Sequence, residues 1–283
     1  MSKDIVFIHS GLGNQMFQYA FYLARKHLNP YTQSNMGLLK NRKVHNGFEL
    51  ENIFGIKIAH YHIHTFLLRA MYHSKLIAKI LTAIGIKEIT DRSYHSKNNK
   101  TLVKYFSGYW QTEKHFVHIK KEIQEVFKFP TKRLNEESKK IVQMITQNNS
   151  ISIHIRRGDY TLPQFAGIYG NICTLDYYNK AIQKIIETVD NPMFFIFSDD
   201  IEWVKQNLKI PNPIFVNCNK GSDSWQDMYL MSICKHNITA NSTFSWWGAW
   251  LNTNPSKKVF CPPKFDNVNA SPDIFPENWI KIQ

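Results

Sequence analysis

Apolar residues along this chain fall into two rhythms that alternate. Residues 4–9 (Asp-Ile-Val-Phe-Ile-His) form a short apolar run of the kind that makes a buried strand, and Gly11-Leu12-Gly13 breaks it. Residues 14–26 then take up a helical period that closes on Arg25-Lys26, where positive charge suits a helix C-terminus. Strand, glycine turn and helix make the opening unit of an open α/β sheet. Residues 135–146 read as a further helix. After it the alternation resumes, with strands over 151–155, 191–197, 214–217, 237–240 and 258–261. Helices are expected over 175–189, after Asp200, over 223–234 and from Ser242. Apolar strands separated by helices predict a mostly parallel sheet covered on both faces.

Two segments of the first half stand apart. Residues 65–84 place Phe66, Leu67, Ala70, Met71, Ile77, Ile80, Leu81 and Ile84 at helical spacing, with Arg69, His73, Lys75 and Lys79 largely between them. This is a basic amphipathic helix; such a face can lie on anionic lipid or pack on a core, and core packing is the slightly preferred reading. Just before it, His60, His62 and His64 alternate, which predicts an edge strand with three imidazoles on one face. No carboxylate nearby completes a metal-ligand set, so a structural strand is the preferred reading.

Composition narrows the class. The chain is 43% hydrophobic and 14% aromatic, which supports a sizeable core and excludes disorder. Cys173, Cys218, Cys234 and Cys261 are spaced for neither a zinc ribbon nor a disulfide framework, and read as buried thiols in a reducing compartment. No signal-peptide pattern opens the sequence and no apolar run reaches the ~18 residues of a membrane span. The expected location is the cytoplasm, with peripheral contact at an anionic inner membrane face as an option. Residues 1–150 carry 23 Lys/Arg against 10 Asp/Glu, whereas residues 151–283 carry 12 of each, so the whole net charge of +13 belongs to the first half. That step predicts two domains, 1–148 and 149–283, with different partners. No recognition-helix, zinc-finger or RNA-binding aromatic pattern accompanies the basic half, and nucleic acid is not an expected partner.

Candidate chemistry sits where strands end. Gly11-Leu12-Gly13-Asn14 lets backbone amides approach a ligand, although Met16 stands where a dinucleotide fingerprint has its third glycine. His154-Ile155-Arg156-Arg157-Gly158-Asp159 puts two guanidinium groups directly after a buried strand, where their fixed forks suit phosphate oxygens. Asp159, three residues beyond Arg156, can hold one of them; a purely structural Arg–Asp pair is the alternative. Asn241-Ser242-Thr243-Phe244 before Ser245-Trp246-Trp247-Gly248 combines hydroxyls with a helix start, either an anion site or an ordinary cap over a Trp-rich core. Taken together, the two strand ends read as a diphosphate cradle.

These blocks also carry a family resemblance. Gly11-Leu12-Gly13-Asn14-Gln15-Met16-Phe17-Gln18-Tyr19-Ala20, Gly108-Tyr109-Trp110-Gln111, His154 to Tyr160, Phe197-Ser198-Asp199-Asp200, Asp227-Met228-Tyr229-Leu230-Met231-Ser232 and residues 240–250 keep an order that resembles the α-1,2-fucosyltransferases. The resemblance implies an α/β, GT-B-like architecture of two Rossmann-like domains facing across a cleft. The donor GDP-fucose would sit mainly on 149–283, and 1–148 would be the acceptor side. Arg156 would grip the β-phosphate, with Asp159 and His154 organising that catalytic group. Arg157, Ser242, Thr243 and Phe244 would complete donor binding, Asp227 would pair with the guanine edge, and Gly13 and Asn14 would contribute from the glycine turn. Trp110 and Gln111 could form a platform for the acceptor, with core packing of Trp110 an equal reading.

The implied reaction is inverting transfer of L-fucose from GDP-β-L-fucose to the 2-hydroxyl of a terminal galactose on a glycan or lipid-linked oligosaccharide. Another acceptor or linkage, or a glycan-binding protein that has lost transfer, are the alternatives. No cofactor or metal is expected, since guanidinium groups and a helix start can offset the leaving diphosphate. Ser198-Asp199-Asp200 is the rival metal site, but it lacks an Asp-x-Asp spacing. Related enzymes can place a Glu shortly after the Arg-Arg segment; residues 160–164 here contain no carboxylate. Asp159 is the nearest, and an arginine partner makes it a poor base. A largely dissociative transfer without a strong base is therefore preferred.

Overall fold

The computed structural model describes residues 2–36, 46–94, 101–268 and 274–283. The chain divides into two compact units, Met1–Lys128 and Phe129–Gln283. The first contains β1 (Lys3–Phe7), α1 (Leu12–Leu28), β2 (Gln33–Asn35), α2 (Glu49–Phe54), α3 (His62–His73), α4 (Lys75–Ala83), β3 (Ile86–Ile89), β4 (Val103–Phe106) and α5 (Lys120–Val126). Its strands form a wholly parallel sheet in the order β2-β1-β4-β3. The two-residue period of β1 explains why helices cover both faces. Ile5 and Phe7 pack with Leu68, Met71 and Leu81 of α3 and α4, while Val6 packs with Phe21 of α1, Phe106 and Trp110. Arg25, in the last turn of α1, pairs with the buried Asp4 of β1 and ties helix end to strand start.

Two local expectations are corrected in this unit. His60, His62 and His64 do not share a strand face, because α3 begins at His62. Thr65, Leu68 and Met71, three apart and buried, impose the helical period, which sets residues 62 and 64 about 200° apart. The amphipathic stretch 65–84 is two helices rather than one. Ser74, extended at φ −142°, ends α3, and its side chain accepts from Ile77 N to cap α4.

The second unit holds α6 (Glu136–Gln147), β5 (Asn149–Ile155), α7 (Pro163–Tyr169), α8 (Leu175–Ile186), β6 (Pro192–Ser198), α9 (Ile201–Asn207), β7 (Pro213–Val216), α10 (Trp225–Ile233), β8 (His236–Ile238), α11 (Thr243–Leu251), β9 (Val259–Cys261) and β10 (Ile280–Lys281). All six strands are parallel, in the order β10-β9-β8-β5-β6-β7. The chain runs outward from β5 through β6 to β7, then crosses to β8 on the other side of β5. The order therefore reverses at β5, and such switch points open a crevice at the carboxyl ends of the strands. In the first unit the equivalent reversal lies between β1 and β4. One face of the larger sheet packs Ile151, Ile153, Ile155, Phe194 and Ile196 against Tyr177, Tyr178, Ile182 and Ile185 of α8. In α11 every residue from Ser245 to Leu251 is buried. Gly248 permits that close packing, since a Cβ there would fall 2.9 Å from Met231 Cβ on α10.

The α/β class and the parallel sheets agree with the sequence reading. The position near residue 148 is the α6–β5 junction, whereas the two compact units part between Lys128 and Phe129. Helix α6 packs against α10 and β5 through buried Ile141 and Ile145, so it belongs with the second sheet, and its own two Glu and two Lys balance, unlike the basic segments of the first half. Among the described residues no helix is long and apolar enough to cross a membrane.

Candidate active site

Three adjacent strands of the second unit, β8, β5 and β6, deliver their C-terminal residues to one edge. From β5 come His154 and then Arg156. Arg156 Nε and Nη2 both donate to Asp159 Oδ1, at 3.0 and 2.8 Å, and Nη1 lies 3.0 Å from Asp199 Oδ2, beyond the end of β6. Asp199 Oδ1 also accepts from Arg157 N at 2.9 Å, so one carboxylate fixes both the arginine side chain and the loop that follows. These contacts engage three of the five guanidinium N–H groups and hold the group in one orientation. Arg156 remains 31% exposed.

Arg157 is placed differently. Its Nε donates to Asp200 Oδ2 at 3.2 Å and its guanidinium lies 3.6 Å from the centre of the Trp203 ring. Asp200 in turn caps α9 by accepting from Trp203 N. Arg157 is thus anchored to the start of α9, with a structural tie that the sequence reading did not assign it. Three carboxylates surround two guanidinium groups, so this cluster carries no excess positive charge. What it presents to an anion is directed N–H donors. Gly158 is needed for this arrangement, because a Cβ there would lie 2.6 Å from Asp199 Oδ2.

His154 is buried on β5 with its ring 5.8 Å from that of Phe244. Burial, reinforced by the charge of Arg156 and opposed by Asp199, lowers its pKa to about 4, so the imidazole is neutral at physiological pH. Its Nδ1 is buried and, among the described residues, has no hydrogen-bond partner. Across β8, Ser242 caps α11 by accepting from Phe244 N at 3.3 Å. Thr243 and Phe244 are the partly exposed residues of an otherwise buried helix, which puts its N-terminal turn at the surface of this edge. Tyr160 closes the ring of contacts: its hydroxyl donates to Asn241 O at 3.0 Å, and Arg156 lies 5.7 Å from its ring centre.

Asp227 belongs to a separate polar network beside β7. Its Oδ1 accepts from Asn219 Nδ2 at 2.7 Å, and Asn219 Oδ1 accepts from Asn135 Nδ2 and Ser138 Oγ. Burial pushes the Asp227 carboxyl up to about 7, against the opposing effect of the Asn219 hydrogen bond.

In the first unit the switch between β1 and β4 brings Asn14 and Gln111 together, with Gln111 Nε2 donating to Asn14 Oδ1 at 2.8 Å; Gly13 is buried in the first turn of α1. Of the two readings of Trp110, the structure takes core packing. Trp110 is 0% exposed and stacks on Phe21 with ring centres 4.1 Å apart, so it offers no face to a sugar. Its φ of +58° turns the side chain inward, and Asp91 holds that turn by accepting from Tyr109 N and Trp110 N. A cavity of about 690 Å³ beyond the end of β2 was not foreseen; Phe48, Glu51, His60, His62, Phe66 and Arg69 help to line it. With Met36, the lining comes from three segments without a shared motif, and the histidine alternation is their one sequence signal.

Asp199 and Asp200 were read in sequence as a rival metal site. Both are engaged by arginines or helix capping, and among the described residues no group of three or more His, Cys, Asp or Glu is arranged to hold a metal ion. The thiols of Cys173 and Cys261 are pushed up to about 12 by burial, which makes them unreactive packing groups.

Residues 6–283 match glycosyl transferase family 11. Over the whole of both chains the sequence is 34% identical to an alpha-1,2-colitosyltransferase of Escherichia coli. It is 31% identical to the O-antigen biosynthesis glycosyltransferase WbnK of Escherichia coli, covering 97% of this chain and 99% of the relative. Among solved structures, the NodZ alpha-1,6-fucosyltransferase soaked with GDP-fucose shares the fold at a TM-score of 0.52 and 14% identity, over 89% of this chain and 93% of that one. The family match and the end-to-end relatives agree with the strand-end motifs: the chain belongs to glycosyl transferase family 11 and is a glycosyltransferase.

Proposed function

We propose that the protein is an inverting transferase that moves L-fucose from GDP-β-L-fucose to the 2-hydroxyl of a terminal galactose on a surface-glycan precursor. In this reading the donor sits on Phe129–Gln283 and the acceptor on Met1–Lys128. The observation that carries it is the edge of β8, β5 and β6, where Arg156 is held rigidly next to the N-terminal turn of α11. As the glycosidic bond breaks, negative charge grows on the β-phosphate and the sugar becomes oxocarbenium-like. Donors already fixed in place stabilise that state more than the ground state, because nothing need reorganise as the charge develops. The N–H groups of Arg156 that Asp159 and Asp199 leave over, with the Ser242 and Thr243 hydroxyls and the α11 amides, supply them. Asp227 in its ionised form would accept from guanine N1–H and the exocyclic amine.

Asp159 is doubly engaged by Arg156, and neutral His154 is buried, so neither is set up as a strong base. A dissociative path, in which the acceptor hydroxyl gives up its proton late, fits this pair. We propose that no metal takes part, since the two carboxylates best placed to bind one are tied to guanidinium groups; undiminished turnover in EDTA is the expected result.

One observation favours a second donor. The colitosyltransferase relative aligns end to end at 34% identity, whereas galactoside alpha-(1,2)-fucosyltransferase 1 of Ateles belzebuth matches 48% of this chain at 26%. Colitose is L-fucose without its 3-hydroxyl, and both readings share the leaving group and the α-1,2 linkage. Competition between GDP-fucose and GDP-colitose for a galactoside acceptor, with product linkage read by NMR, separates the two. Hydrolysis or transfer from neither donor would overturn both.

A further inference from the structure

We propose that the outer face of α3 and α4 is a docking surface for an anionic lipid bilayer. The two helices meet at Ser74 and place Leu68, Met71 and Leu81 against Ile5, Phe7 and Tyr105 of the first sheet. Leu67 and Ala78 pack partly on the same cluster, and several larger apolar residues of the two helices lack that cover. In α4 the buried Leu81 and half-buried Ala78 mark the core side. Leu76, Ile77, Ile80 and Ile84, spaced for one helical stripe, are exposed on another side, Leu76 at 67% and Ile80 at 53%. Phe66 of α3, which also borders the cavity beyond β2, is 67% exposed. Soluble surfaces rarely leave so many large apolar side chains together in water.

Charge selects the occupant. Helices α3 and α4 carry Arg69, Lys75 and Lys79 and no Asp or Glu, and Lys75 and Lys79 lie one helical turn apart beside the apolar stripe of α4. A neutral protein partner would need no such one-sided charge, and a second copy would bring like charge against like. An anionic membrane meets both features: acyl chains and headgroup carbons take Leu76, Ile77, Ile80 and Ile84, while lipid phosphates take the lysines. The inference holds for whichever sugar the enzyme transfers, and its test does not depend on turnover.

The test is co-sedimentation of the full chain with phosphatidylcholine vesicles prepared with and without phosphatidylglycerol. Binding to the anionic vesicles alone, weakened by salt, is expected. L76E/I80E and K75E/K79E should each lower the partition constant roughly tenfold or more, with an unchanged circular dichroism spectrum and unchanged turnover on a soluble acceptor. Should L76E/I80E fail to fold, K75E/K79E decides, because lysine side chains so exposed contribute nothing to the core. Failure to sediment with anionic vesicles would overturn the proposal. So would a dimer, seen by light scattering, that L76E/I80E dissociates.

Discussion

Gly158→Ala tests whether Arg156 works because Asp199 holds it. The new methyl would sit 2.6 Å from Asp199 Oδ2, well inside a normal contact of about 3.4 Å, so the carboxylate must withdraw by roughly 0.8 Å. If the withdrawal runs along its 3.0 Å contact with Arg156 Nη1, that contact lengthens to about 3.8 Å, beyond hydrogen-bonding range. A charge-assisted hydrogen bond of this kind is worth about 1.5–3 kcal/mol, and expressed in the transition state it corresponds to roughly a 10–100-fold loss of kcat. Residue 158 is exposed in a loop, so the fold should survive and KM for the acceptor should stay within about twofold. The assay is steady-state transfer from GDP-fucose for Gly158→Ala, Asp199→Ala and the double variant. If the methyl acts by displacing Asp199, it should cost little once that carboxylate is gone, and the two losses will not add. Full additivity, or wild-type kcat in Gly158→Ala, would refute the assigned role of Asp199.

Arg156→Ala should lose about 10²–10³ in kcat with an unaltered melting temperature, and Arg156→Lys should not restore it, because an ammonium lacks the planar fork that Asp159 and Asp199 hold in one orientation. With the Asp227 carboxyl raised to about 7, its ionised form appears only above that pH, so GDP affinity should rise between pH 6 and 8 and the rise should vanish in Asp227→Asn. The same shift has a consequence for stability. The folded chain keeps this proton after the unfolded chain has released it, so the contribution of Asp227 to stability should fall as pH climbs from about 4 to about 7; denaturant melts of Asp227→Asn should lack that slope. Gly248→Ala forces α10 and α11 apart at Met231 and should cost about 1–3 kcal/mol in urea unfolding.

How much of this was legible in the sequence depends on how far each feature is local. The central strand β6 of the second unit announces itself as a continuous apolar run, Met193 to Phe197, because both of its faces are covered, whereas Ile151 to Ile155 shows only alternating isoleucines. β2 is three polar residues, Gln33–Asn35, whose strand state comes from pairing with β1, and no local signal marks it. Arg156 and Ser242 were readable as strand-end chemistry, since a parallel sheet fixes which end binds ligands. The partnership of Arg156-Arg157 with Asp199-Asp200 crosses neighbouring strands β5 and β6, so only the matching charges of the two pairs hinted at it. Trp110 had two equal readings, acceptor platform and core, and sequence could not choose between them because its buried side chain goes with a positive φ that no local pattern marks. The cavity beyond β2 was invisible because its walls come from distant segments.

The central claim is that the strand-end edge of the second unit recognises a guanosine diphosphate leaving group through Arg156. Isothermal titration of GDP into the wild-type chain and into Arg156→Ala, in EDTA and with ADP as control, tests it most directly. Saturable binding of GDP that ADP does not reproduce and that Arg156→Ala weakens at least tenfold is expected. No heat with GDP, or equal affinity in the two proteins, would contradict it.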